Sequence, residues 1–169
     1  NITDGKVQYD SGKAVKRSHE FNPSHLLLRD IQLGVASFYM YHKTMKAVIR
    51  KCSFYDRSGL TVSNLQANFR TDNDKIYLPD FNLQTPYSEI KAHAVCPWNI
   101  MDAKGKSGDL EANIDAYIGK GDVLFWGHAL PARLIHKYPS APLVLHAGMR
   151  GNMKSMYFSR LEARLPGAF

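Results

Sequence analysis

The sequence predicts an all-β fold, a curled and mostly antiparallel sheet, and three observations lead there. From Leu26 onward apolar residues recur at every second position, the pattern of strands that bury one face. Turn signals interrupt this pattern at short intervals: Asp56-Arg57-Ser58-Gly59, Thr71-Asp72-Asn73-Asp74, Thr85-Pro86-Tyr87, Gly119-Lys120-Gly121 and Pro139-Ser140-Ala141-Pro142 among them. Only one segment has helical spacing.

Taken in order, residues 1–24 are polar and carry Lys6, Lys13, Lys16 and Arg17. They read as an extended lead-in with an edge strand around Lys6–Tyr9. The clearest strand is Leu110-x-Ala112-x-Ile114-x-Ala116-x-Ile118, an unbroken alternation. The helical exception lies near residues 129–138, where Leu130, Leu134, Ile135 and Tyr138 share a side, Pro131 suits a first turn and Pro139 ends it.

A short repeat runs through the strands. Leu26-x-Leu28-x-Asp30-Ile31-x-Leu33 matches Leu60-x-Val62-x-Asn64-Leu65-x-Ala67, and both match Ile76-x-Leu78-x-Asp80-Phe81-x-Leu83. In each copy the apolar parity slips by one residue at the Asp or Asn. An extra residue there, a β-bulge or a sharp bend, keeps the apolar set on one face. One short helix is too small to cover such a sheet. The sheet must close as a barrel, stack as a sandwich, or curl into a trough whose open apolar surface suits a ligand.

Composition narrows the function classes. The 169 residues suit one domain, and 44% hydrophobic with 22% charged residues is ordinary globular usage, which excludes wholesale disorder. A net charge of +7 favours anionic partners without choosing between nucleic acid, phospholipid and glycan. Cys52 and Cys96 read as small apolar fillers, with pairing open in an oxidising compartment. No apolar run is long enough for a spanning helix. The chain starts at Asn1 without Met and stops soon after a strand-like run, so both ends are expected to continue in a longer protein that carries any anchor or export signal.

The sequence shows no enzyme motif. Gly105-Lys106-Ser107 resembles the end of a phosphate-binding loop, but Ile100 replaces the required glycine, and a hairpin turn is the better reading. No Gly-x-Ser-x-Gly, His-Glu-x-x-His or paired Cys-x-x-Cys occurs. His93 and Cys96 fall on opposite faces of an unbroken strand, and His128 and His136 near the helix lack a third ligand. Asp72 and Asp74 sit in a turn, while Asp109, Glu111 and Asp115 point away from the apolar face, so no glycosidase pair is evident. After Asp122 the chain carries Arg133, Lys137, Arg150, Lys154, Arg160 and Arg164 without a nucleic-acid signature, so no nucleic-acid partner, cofactor or metal is expected. Phe38, Tyr39, Tyr41, Phe54, Tyr55, Phe69, Tyr77, Phe81, Trp98, Phe125 and Trp126 are expected mostly in the core or in cross-strand pairs.

Several segments occur together in a telling order: Ser58-Gly59-Leu60-Thr61-Val62-Ser63-Asn64-Leu65, then Ile76-Tyr77-Leu78-Pro79-Asp80-Phe81-Asn82-Leu83-Gln84-Thr85-Pro86-Tyr87-Ser88, Lys120-Gly121-Asp122-Val123, Leu130-Pro131, and Gly148-Met149-Arg150-Gly151-Asn152. This order, over roughly residues 20–169, resembles the repeat region of TamB-like proteins of the translocation and assembly module, within the AsmA-like group, in a form typical of Bacteroidetes envelopes. The resemblance implies a segment of a periplasmic protein anchored in the inner membrane. Its sheet would curl into a taco-shaped groove with an apolar interior that carries phospholipid acyl chains towards the outer membrane. It also implies a role in outer-membrane protein assembly with an Omp85-type partner, met through regions outside this chain, and no catalysis.

The expected groove lining is the apolar set of the repeat and its neighbours: Ile31, Leu33, Val35, Ala47, Ile49, Leu60, Val62, Leu65, Ala67, Phe69, Ile76, Leu78, Phe81, Leu83, Ile90, Ala92, Ala94, Leu110, Ala112, Ile114, Ala116 and Ile118. Two other readings stay open at this stage. One is a structural or adhesive envelope module with a closed core and no lipid; the other is a carbohydrate-active or carbohydrate-binding β-domain.

Overall fold

The structure is a computed structural model that describes residues 1–11, 22, 24–99, 109–123, 138–152 and 154–167. Nine strands follow one another: β1 (Ile2–Asp10), β2 (His25–Tyr41), β3 (Thr44–Asp56), β4 (Thr61–Thr71), β5 (Lys75–Gln84), β6 (Ser88–Pro97), β7 (Leu110–Ile118), β8 (Leu143–Asn152) and β9 (Ser155–Arg164). They form one sheet in strict chain order, every neighbour antiparallel, with β1 and β9 as its edges. The fold is all-β, as the alternation predicts, and the sheet is open rather than a barrel. A single helical turn, α1 (Lys120–Val123), follows β7.

The polar lead-in contains β1, a longer edge strand than the Lys6–Tyr9 core expected. β7 spans the residues of the clearest alternation. The helix expected near 129–138, the Gly105-Lys106-Ser107 turn, and both His128 and His136 lie outside the described residues, apart from Tyr138. The Tyr138 hydroxyl donates to the carbonyl of Ile118 at 2.6 Å and accepts from the Leu143 N–H at 3.1 Å, tying the end of β7 to the start of β8.

The bulges expected from the repeat are present in all three copies. Between Arg29 and Gln32 β2 holds one residue more than β3, and Asp30 there takes a left-handed φ of 53°. Aspartate tolerates that conformation better than most residues. Between Val62 and Leu65 β4 holds one more than β3. Between Leu78 and Phe81 β5 holds one more than β6. Each extra residue resets the parity, so the apolar residues on both sides of it share a face.

Two polar clusters hold one end of the sheet. Asp56 is buried in the β3–β4 turn, where its carboxylate accepts the N–H groups of Leu27 at 3.1 Å and Ser58 at 2.9 Å. Asp122 of α1 is buried and accepts the hydroxyls of Thr85 and Ser88 from the β5–β6 turn, and Ser88 Oγ accepts the Gly119 N–H. This docking needs a bare backbone at Gly119, because a Cβ there would lie 2.3 Å from the Tyr87 carbonyl oxygen. Gly119→Ala is expected to lower stability by about 1–3 kcal/mol, as forced overpacking does, read as a lower urea midpoint at unchanged slope.

Candidate functional site

Register decides which side chains share a face, because directly paired residues point the same way. Leu33, Cys52, Leu65, Leu83, Ile90, Ala116 and Leu145 pair in succession, with Ile2 and Ala163 at the two ends. This is an apolar ladder through all nine strands. A second ladder runs Val35, Ile49, Ala67, Phe81, Ala92, Ile114, Ala147 and Leu161 across eight. A third joins Leu78, Ala94, Ala112, Met149 and Phe158, with Phe38, Ala47 and Phe69 at the same level of β2–β4.

The remaining expected lining residues flank these ladders. Ile76 pairs with Cys96, Ile118 with Leu143, Leu110 with Gly151 and Val62 with Phe54. Leu60 is buried just before β4, and Ile31 flanks Gly5 together with Ile2, so that a Cβ added at Gly5 would lie 3.2 Å and 3.0 Å from them. The expected residues paired within strands therefore lie on one face of the sheet.

That face is covered only in part. Ala112, Ala116 and Ala147 are buried, but the large members of the ladders, including Leu33, Leu65, Leu83, Ile90 and Leu145, are only half-buried. Val35 and Leu161 near the edges are 40% and 60% exposed. Among the described residues no second layer seals the ladders. A packed core would bury a central Leu almost completely.

The other face is polar. Gln66, Asn82, Lys91, Asp115, His146 and Glu162 form one row across it, and Asn64, Gln84, Glu89 and Tyr117 another. Lys91 donates to Glu89 at 3.1 Å, and this bond, with one from Gln84, holds the Glu89 carboxyl below the usual range. A concavity of about 780 Å³ lies over this face, lined by Arg50, Gln66, Asn68, Asp80, Asn82, Lys91, His93, Asn113 and Asp115, with Ile49, Ala67, Phe81 and Ala92 contributing between them. The side-chain oxygen of Asn82 is buried there without a hydrogen-bond partner among the described residues. By register, the side chains of Ile49, Ala67, Phe81 and Ala92 point to the opposite face from those of Gln66, Asn82 and Lys91.

Chemistry is sparse on both faces. Cys52 and Cys96 are free thiols among the apolar residues, and burial pushes both thiols up, towards the neutral form. Among the described residues no group of three or more His, Cys, Asp or Glu is arranged to hold a metal ion. No helix among them is long and apolar enough to cross a membrane. The expectation for the aromatics needs correction: Phe38, Tyr39, Tyr41, Tyr55 and Trp98 are exposed rather than packed. The first three lie on β2 beyond Leu33, the last β2 residue that pairs with β1.

Comparison with known protein families, with curated proteins and with solved structures finds no match.

The sequence reading missed the ladder members Ile2, Cys52, Leu145, Ala147, Met149, Phe158, Leu161 and Ala163. The β8 members were visible in the alternation Leu143-x-Leu145-x-Ala147-x-Met149. The β9 members were hidden by another parity slip, an extra residue between Phe158 and Arg160.

Proposed function

We propose that this chain is a non-enzymatic segment of an envelope lipid-transport scaffold of the TamB-like kind, whose apolar sheet face takes up phospholipid acyl chains. In this reading it works in the periplasm, as part of a protein anchored in the inner membrane. An Omp85-type partner and a contribution to outer-membrane protein assembly belong to regions outside this chain. One observation carries the reading: three apolar ladders run perpendicular to the strands, on one face, without a covering layer among the described residues.

An acyl chain is a long apolar rod, and a ladder is an apolar strip crossing strands spaced ~4.8 Å apart. Burying a dozen methylenes at about 0.8 kcal/mol each contributes roughly 10 kcal/mol before ordering costs. No specific polar contact is needed, which suits a carrier that must also release its load. Native mass spectrometry of the chain purified without detergent, with organic extraction of the same sample, tests this. Co-purifying phospholipid supports the reading; a bare mass that takes up no added phospholipid sinks it and favours a structural module.

A second reading, glycan binding, is favoured by the amide-lined concavity of the polar face and the unpartnered Asn82 oxygen. It requires binding of an oligosaccharide that is lost in Asn82→Leu and unaffected by changes to the apolar face.

A further inference from the structure

The β2–β3 hairpin ends in four successive large apolar side chains, Phe38, Tyr39, Met40 and Tyr41, each 53 to 65% exposed. They do not share a face. Phe38 and Met40 pair with Ala47 and Met45, whereas Tyr39 pairs with Lys46, so both sides of the tip are apolar. A second protein layer laid on the sheet would cover one side and leave the other in water. A medium that surrounds the tip accommodates both.

The charge around the tip points to an anionic medium. Lys43 lies in the turn, and Lys46 sits directly opposite Arg70, a like-charge pair that disfavours the sheet unless an anion offsets it. Arg70 is held 4.2 Å above the Tyr77 ring. In the adjacent β4–β5 turn Asp72, which accepts the N–H groups of Asp74 and Lys75 and the Tyr77 hydroxyl, faces Arg70 electrostatically, and Asp74 is exposed; Lys43, Lys46, Arg70 and Lys75 outnumber these two carboxylates.

The tip is also held in shape. Thr71 is fully buried; its hydroxyl donates to the Lys43 carbonyl at 2.6 Å and accepts the Met45 N–H at 2.9 Å. A fixed tip presents its aromatics without further ordering.

We propose that the β2–β3 hairpin tip docks on the surface of an anionic phospholipid bilayer, with Phe38, Tyr39, Met40 and Tyr41 at headgroup depth and Lys43, Lys46 and Arg70 against lipid phosphates. Aromatic side chains with a polar end favour that depth, and basic residues near it are drawn to anionic lipid.

Co-flotation of the purified chain with vesicles of phosphatidylcholine, alone or mixed with phosphatidylglycerol, tests this. The chain is expected to float with the mixed vesicles and not with phosphatidylcholine alone. Phe38→Ser with Met40→Ser, and separately Lys43→Glu with Lys46→Glu, are each expected to lower the bound fraction about tenfold or more. The charge changes fall on exposed side chains and leave the fold intact, checked by circular dichroism. Arg164→Glu, an exposed charge reversal on edge strand β9 at the opposite end of the sheet, is expected to float as the unaltered chain does. Failure to float with anionic vesicles, undiminished flotation of the variant reversed at Lys43 and Lys46, or an equal loss in Arg164→Glu each overturns the proposal.

Discussion

Leu83→Asp is expected to abolish phospholipid binding while leaving the sheet folded. Leu83 lies near the middle of the nine-strand ladder, between Leu65 and Ile90 on the adjacent strands. It is only half-buried, so a carboxylate there keeps part of its hydration, and the cost to folding stays near the ~1 kcal/mol span of strand preferences. A bound acyl chain would remove that hydration. An ionised carboxylate against methylenes is disfavoured by several kcal/mol, which is more than a hundredfold in affinity. Leu65→Asp, one strand away, is expected to behave alike. Gln66→Asp, exposed on the polar face next to Leu65, serves as the control and is expected to bind as the unaltered chain does. A fluorescent phospholipid titration reads all three. Equal binding by Leu83→Asp and the unaltered chain refutes the assignment of the face.

Asp56→Ala is expected to produce the largest loss of stability of any single side-chain truncation outside the ladders. The carboxylate is 2% exposed and gathers two strands into one turn, accepting from Leu27 of β2 and Ser58 of the β3–β4 turn. Truncation leaves both N–H groups without this acceptor. Bonds to a charged group contribute about 1.5–3 kcal/mol each, so the expected loss is about 3–6 kcal/mol. Asp56→Asn keeps one carbonyl acceptor and is expected to lose roughly half as much. Urea unfolding followed by circular dichroism measures both. Similar midpoints for the two variants would show that charge, rather than the number of bonds, decides.

The all-β fold was legible because alternation is a local property. Leu110 to Ile118 alternates without interruption, and β7 occupies the same nine residues. The bulges were legible for a related reason: the slip at Asp30, Asn64 and Asp80 breaks a pattern that is otherwise regular, and one extra residue is the smallest repair. The slip at Ser159 was not recognised, since it occurs once and matches no repeat, and with it Leu161 and Ala163 were lost.

The exposed aromatic tip was not legible either. Phe38, Tyr39 and Tyr41 look like ordinary strand residues, and residue type alone does not tell which end of a long strand its neighbours cover. The polar concavity has the same origin. Gln66, Asn82, Lys91 and Asp115 are far apart in sequence and meet only through the register of four strands.

The most direct test of the central claim places a photoreactive phenylalanine analogue at single positions of the full chain and irradiates it in living cells. Phe81 and Asn82 are neighbours in sequence on opposite faces, and so are Ile114 and Asp115. Acyl-chain binding on the apolar face predicts phospholipid cross-links from positions 81 and 114 and none from 82 and 115. Equal labelling of both faces, or labelling from the polar positions alone, would contradict it.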